Sequence, residues 1–363
     1  MTKREKELLD LIKQNPLISQ KELAEELNIT RSSVAVHITN LLKKGYIVGK
    51  GYILREQGYV CVIGGSNVDI QGFPNFVLKE HDSNPGRVKI SLGGVGRNIA
   101  ENISKLQIPV KLISALGNDV YGNKILEEAR ISGINMEDSL IFQDESTSTY
   151  LSILDEQGDM KVAIAHMDVI DKMTIEFIRD KSHVIKNSKV CVLDTNLPEH
   201  ILDYIVNNYS DTKFFLDTVS SKKAEKVKNL IGKFHTIKPN KIEAEILSGI
   251  KINTKEDVKK AGKYFLKQGV KRVFISLSGD GLYYLDENNE GFMQNKDVEV
   301  VNATGAGDAF SAGLVYTFLQ NYSIEESAKF CMGAAIMAIS HEDTINPNLS
   351  YENILKIMKE LKI

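Results

Sequence analysis

The chain has 363 residues, 42% of them hydrophobic and 26% charged, a composition of water-soluble globular proteins and a length suited to two folding units. A net charge of −3 points by itself to no nucleic-acid partner, and the charged start MTKREKELLD, with no apolar run long enough to span a bilayer, places the protein in the cytoplasm. Cys61, Cys191 and Cys331 stand far apart in apolar stretches and no histidines pair at HxH or HxxxH spacing, so reduced core thiols are expected rather than disulfides or zinc ligands.

Residues 1–58 hold ten Lys+Arg against seven Asp+Glu, whereas the remainder holds 35 against 41. Within this basic stretch Ser19 and Glu22 have capping-box spacing, which predicts a short helix turning Leu23 and Leu27 inward. Asn28-Ile29 makes a turn, and Thr30 caps a second helix in which Val34, Ile38, Leu41 and Leu42 recur at helical spacing. Arg31, Ser32, Ser33, His37 and Lys44 fall on its other faces, and YIVGKGYIL alternates around Gly49-Lys50-Gly51 as a hairpin does. Residues 1–57 thus resemble a winged helix-turn-helix DNA-binding domain, with residues 31–44 as recognition helix and Lys50 on the wing. The resemblance implies duplex DNA as a partner, with Arg31, Lys43, Lys44 and Lys50 neutralising phosphates and Ser32, Ser33 and His37 meeting bases or phosphates. So weakly basic a module calls for a homodimer; a plain helical cap or dimerisation unit fits the same pattern.

From residue 58 the pattern changes to short apolar runs, YVCVIGG, VKLISALG, KVCVLD, KFFLD, HTIKPN and KRVFISLSGDG, alternating with helical stretches such as RNIAENISKLQ and KEDVKKAGKYFLKQG. Such alternation predicts an α/β unit over residues 58–363 with a mainly parallel sheet, helices on both faces, and ligands at the carboxyl ends of the strands. Four of the loops there are unusual. GGSNVDI offers Asn67 and Asp69 after two glycines, and SLGGVGRN places Gly94, Arg97 and Asn98 at the head of a helix. KPNKIE sets Asn240 and Glu243 three residues apart where a strand becomes a helix, a spacing that a simple cap would share. In NATGAGDAF the apolar residues Phe310, Leu314, Val315 and Phe318 set a helix whose first amides, near Gly305, Ala306 and Gly307, are bare beside the carboxylate of Asp308. A helix end of that kind favours phosphate, and it is expected to hold the Asp308 pKa low.

Together the four loops resemble the ribokinase-like (PfkB) family of carbohydrate and nucleoside kinases, a mainly parallel sheet flanked by helices with a small β lid. The resemblance implies Asp308 as catalytic base, Gly305, Ala306 and Gly307 as the anion hole, and Thr304 beside it. It implies Asn240 and Glu243 as organisers of Mg2+ and the ATP phosphates, with Glu243 toward the metal, and Ser276, Gly279 and Gly281 of SLSGDG as the nucleotide loop; K+ is a further ion such enzymes can use. Two positions depart from the family pattern: Ser278 stands where glycine is usual, and Asn302-Ala303 where an aspartate is common. Asn67, Asp69, Gly94 and Asn98 match positions that hold acceptor hydroxyls.

Within the family, STSTYLSILDEQGDMKVAIAHMDVIDKMT, LDTVSSKKA and TINPNLS look like the pseudouridine kinases, which phosphorylate a 5′-hydroxyl. That likeness adds Arg97, Thr149, Tyr150 and Asp168 to the acceptor pocket. Arg97 is the only obvious phosphate partner in the acceptor loops, which disfavours a phosphosugar. A kinase for ribose, fructose or a purine nucleoside, and a regulator that senses a sugar or nucleoside, remain open alternatives.

Overall fold

The structure, a computed structural model, describes residues 1–16, 18–47 and 58–363. The chain divides into two compact units, Met1–Gly58 and Tyr59–Ile363.

In the first unit three helices, Lys3–Gln14, Gln20–Glu26 and Arg31–Lys43, enclose a core of Leu8, Ile12, Leu23, Val34, Ile38 and Leu41. Ser19 and Glu22 form the expected capping box, and Thr30 caps the third helix through the Ser33 amide. Leu42, expected in the apolar stripe, is instead 43% exposed, because the stripe closes on Leu41 and Ile47. The hairpin tip with Lys50 lies outside the described residues.

The second unit is built on a nine-stranded sheet. Buried strands Val60–Ile63, Val110–Ile113, Cys191–Asp194, Phe214–Asp217, Thr236–Ile237 and Arg272–Ser276 run parallel, Ile134–Asn135 adds a short parallel strand at one edge, and two antiparallel strands, Leu282–Leu285 and Glu290–Met293, finish the other. Parallel strands buried on both faces read as unbroken apolar runs, which is why the sequence showed no period-two alternation there. Helices cover the two faces, the sheet divides the core in two, and Ala306–Leu319 packs on Ile324–Ile339 and Val95–Lys105.

A separate four-stranded sheet supplies the lid: Gly86–Gly93, Asn67–Pro74, Thr149–Leu154 and Met160–His166, in that order. Its register sets Asp69 opposite Ser91 and Tyr150, and Ile70 opposite Ile90 and Leu151. Side chains alternate along strands, so one face of the lid carries Asp69, Gln71, Lys89 and Tyr150 and the other carries only apolar groups along most of its length.

Candidate active site

The carboxyl ends of the parallel strands and the underside of the lid meet around a cavity of about 350 Å³. Lining it are Ser66, Asn67 and Asp69 from the first strand–lid connection, Gly94 and Asn98 from the next helix, Tyr150 from the lid, and Thr304 and Asp308. Asp308 lies in the first turn of Ala306–Leu319 and is buried, and its Oδ2 accepts a hydrogen bond of 2.8 Å from Asn98 Nδ2. Residues 210 positions apart are thereby held as one group.

The helix behind Asp308 starts at Gly305 with φ +86° and no side-chain cap, and the first backbone bond into it runs from the Ala309 amide to the Gly305 carbonyl. The amides of residues 306–308 therefore have no partner one turn earlier and face outward. A Cβ at Gly305 would sit 2.0 Å from the Thr344 carbonyl oxygen, so this cradle admits only glycine. One at Gly307 would meet Lys238 Nζ at 3.3 Å, which places an ammonium beside the bare helix end.

The strands deliver further carboxylates. Asp194 accepts the amides of Gly65 at 2.9 Å and Asn196 at 2.8 Å; Asp217 accepts the Val219 amide at 3.0 Å and the Ser311 hydroxyl at 2.8 Å. Lys238 Nζ lies 3.6 Å from Asp217 Oδ2 with its side chain 13% exposed. Burial, then the neighbouring Asp217 and Asp194, push the Asp308 carboxyl up to about 8, although Asn98 and Lys238 oppose the rise. The expectation of a low value is thus overturned: a helix end stabilises one charge, but here three carboxylates share a space with little water. Asp194 is raised to about 6 by burial against its two amide bonds. Lys238, which burial alone would discharge, is held protonated by Asp217, Glu243 and Asp308.

On the nucleotide side, Asn240 and Glu243 form a reciprocal capping box at the start of Lys241–Ser248, and Glu243 Oε2 also accepts the Thr218 hydroxyl at 2.6 Å. The strand ending at Ser276 bridges Asn240, which brings the SLSGDG turn alongside. Ser278 takes φ +52°, in the left-handed region that glycine favours, so the serine here adopts a backbone conformation suited to glycine. Gly281, at φ +95°, has the Met293 carbonyl 2.0 Å from where a Cβ would lie, while Gly279 has open space around it. In the second departure, Asn302 accepts the Thr304 amide at 2.9 Å and donates to the Glu342 carbonyl, bracing the approach to the anion hole.

Among the described residues no group of three or more His, Cys, Asp or Glu is arranged to hold a metal ion. Glu243, a buried carboxylate whose charge reaches Lys238 beside the bare helix end, suits Mg2+, which keeps waters and is commonly bound by one or two carboxylates together with substrate phosphates.

Several expected residues lie elsewhere. Thr149 shares the lid's apolar face with Ile70 and Val68 and so points away from the cavity, because it precedes the inward Tyr150. Asp168 is exposed on the single turn Asp168–Lys172, whereas Ile170 and Asp171 of that turn reach the cavity. Arg97 is buried, paired with Glu101 at 2.6 Å, and lines an adjoining cavity of about 600 Å³ that shares Asp69, Tyr150, Thr304 and Thr344 with the first. In the N-terminal unit Lys44 is committed to the buried Glu5 at 2.8 Å and is not free for phosphate, while Arg31 and Ser32 are exposed and Ser33 and His37 half-buried.

Sequence reasoning missed Lys238, Asp194, Asp217, Ser66, Lys223 and Lys226. The repeated Leu-Asp-Thr closing two buried strands, at Leu193 and Leu216, was the available signal for the aspartates. Lys223 and Lys226 also weaken the reasoning that Arg97 alone could meet an acceptor phosphate, since both line the cavity. They are nonetheless engaged, Lys223 by Asn196 Oδ1 at 2.5 Å and Lys226 by the carbonyls of Thr195 and Leu197 at 3.1 and 3.0 Å.

Comparison with known proteins agrees with this geometry. The profile of pfkB family carbohydrate kinases matches residues 57–350, and that of winged helix-turn-helix DNA-binding domains matches residues 1–48. The uncharacterized sugar kinase YeiI of Escherichia coli (strain K12) is 38% identical over 99% of this chain and 99% of its own length. The pseudouridine kinase of the same organism is 40% identical over 84% of this chain and 98% of its own. A crystal structure assigned to the sugar kinases, from Clostridium perfringens, is 45% identical, covers 84% of this chain and 97% of its own, and superposes with a TM-score of 0.79.

Proposed function

Because the chain belongs to the pfkB family of carbohydrate kinases, phosphotransferases with an alcohol acceptor, we propose that it transfers the γ-phosphoryl group of ATP to the 5′-hydroxyl of pseudouridine. The observation that carries the reading is Asp308, joined to Asn98 at the floor of the cavity and set beside an uncapped helix end that only glycine can form. Asp69, Asn67 and Asn98 hold the sugar hydroxyls. Ser66 Oγ and Asn98 Oδ1 are buried without a partner, and a polyhydroxylated acceptor supplies the missing bonds. Tyr150 offers a ring face to the base. The likeness to pseudouridine kinase over nearly that enzyme's whole length supports this nucleoside over a hexose.

As the acceptor approaches, Asp308 accepts its hydroxyl proton and the amides of residues 306–308 receive the charge on the transferred group. Bound Mg2+ supplies charge neutralisation at the phosphates; Glu243 and Asn240 would hold it, and Ser276, Gly279, Gly281 and Thr304 flank the nucleotide. Closure of the lid excludes water and suppresses ATP hydrolysis.

ATP consumption against pseudouridine, uridine, inosine, ribose and fructose tests the substrate. A marked preference for pseudouridine is expected, and preference for a hexose would remove the nucleoside reading while leaving the family intact.

The N-terminal winged helix-turn-helix domain supports a second property, binding of duplex DNA through Arg31, Ser32 and Lys43 on the exposed side of Arg31–Lys43. Titration with duplex at several salt concentrations should give an inverse salt slope, and its absence would exclude the role. A homodimer is favoured by the lid, whose outer face carries Val88, Ile90, Leu151, Val162 and Ile164, exposed by 67, 45, 37, 56 and 63%. An exposed apolar face of this kind on a sheet suits a second copy of itself. The protein would work in the cytoplasm, where its three buried cysteines stay free.

A further inference from the structure

Lys238 is a largely enclosed cation, its side chain 13% exposed, that the kinase reaction so far leaves without a task. It follows the two-residue strand Thr236–Ile237, and its Nζ lies 3.6 Å from Asp217 Oδ2 and 3.3 Å from the point a Gly307 side chain would occupy. Asp217 is itself fixed, by the Ser311 hydroxyl at 2.8 Å and the Val219 amide at 3.0 Å. The second bond draws Val219, a β-branched residue, into a positive φ of 56°, an uncommon conformation held by its surroundings. Asp217, Glu243 and Asp308 all act on the ammonium. The ammonium therefore stands beside Asp217 and the bare helix end, where the charges of Glu243 and Asp308 also reach it.

We propose that Lys238 touches the transferred phosphoryl group, and that Asp217 is a positioning residue that aims it. In the transfer, the acceptor oxygen bonds to the γ-phosphorus as the bond from that phosphorus to the β,γ-bridging oxygen breaks. The electron pair of the broken bond leaves with ADP, the hydroxyl proton passes to Asp308, and Lys238 keeps its own protons throughout. Its ammonium sits where the equatorial oxygens carry charge, alongside the amides of residues 306–308. The anion hole thus has a side-chain member, one that the motif TGAGD does not contain.

This rests on the kinase reading of the cavity, and the tests separate the two. Lys238→Met keeps the stem and removes the charge; the loss expected in kcat is about 10²–10³-fold, the scale of one anion-hole donor. Lys238→Arg restores part of it. Two roles are told apart by pH. A lysine that only kept Asp308 ionised would leave a deficit that disappears on the alkaline plateau, whereas a phosphoryl contact leaves the deficit undiminished there. Asp217→Asn should lower kcat less than Lys238→Met and add little to it in the double variant, because both changes act on one group. Without any acceptor, titration calorimetry of MgATP against MgADP should show the preference for ATP reduced by at least about tenfold in Lys238→Met. Unchanged ATP preference, a deficit abolished at high pH, or additive effects of the two substitutions would each overturn the assignment. If the wild type phosphorylates some other acceptor, the pseudouridine reading falls and Lys238 is judged on that acceptor and on the nucleotide titration alone.

Discussion

Replacing Asp308 by asparagine should cripple the enzyme and at the same time stabilise it, increasingly so as the pH rises. The folded carboxyl titrates near 8 against an ordinary 3.8, a difference of roughly 4 units at about 1.4 kcal/mol each. In the unfolded chain it loses its proton near pH 4, and in the folded protein near pH 8. Between those values only the folded state binds the proton, so the group's contribution to stability is greatest below pH 4 and is lost as the pH rises through 8. From pH 5 to pH 8 the loss is about 4 kcal/mol, a burden that Asp308→Asn does not carry. Thermal unfolding of the full chain without nucleotide, at pH 5 and pH 8, measures it: the gap between variant and wild type should widen in favour of asparagine at the higher pH. Turnover in the same variant should fall by about 10²–10⁴, the scale of a positioned base. A gap that does not change with pH would refute the account of buried charge, and near-normal turnover would refute the base.

Three further outcomes follow from the geometry. Gly305→Ala forces a side chain onto the Thr344 carbonyl in a left-handed conformation and should abolish activity with a large drop in melting temperature; Gly307→Ala meets only the tip of Lys238 and should lower kcat with little change in melting. In salt titrations with duplex DNA, Arg31→Ala should reduce the magnitude of the slope by about 1, whereas Lys44→Ala, whose charge is already matched by Glu5, should leave the slope unchanged. Ile164→Glu on the outer lid face should convert a dimer to monomer by light scattering, and an unchanged mass would show that the copies, if they pair, pair elsewhere.

What the sequence disclosed depended on the distance over which each feature is determined. Capping boxes, the uncapped helix ahead of Asp308 and the buried strands are set by residues within a few positions of one another, and Ser19 with Glu22 or Asn240 with Glu243 formed as their spacing predicts. Failures came where a side chain's partner lies far along the chain. Lys44 looks like a free cation on a recognition helix until Glu5, 39 residues earlier, folds against it. Thr149 and Tyr150 are neighbours in sequence, and only lid register decides which turns inward. The acidity of Asp308 is the strongest case, because the helix end raises the expectation of a strong acid locally, while burial, and then Asp217 and Asp194 arriving from two other strands, reverse it. The same convergence sets the Lys238 ammonium against Asp308, and a site that gathers carboxylates around an anionic substrate functions only if cations are placed with comparable care. Mg2+ can arrive with the nucleotide, but a lysine fixed by Asp217 is present before binding. The protein therefore holds part of the countercharge in advance and leaves the remainder to the substrate complex.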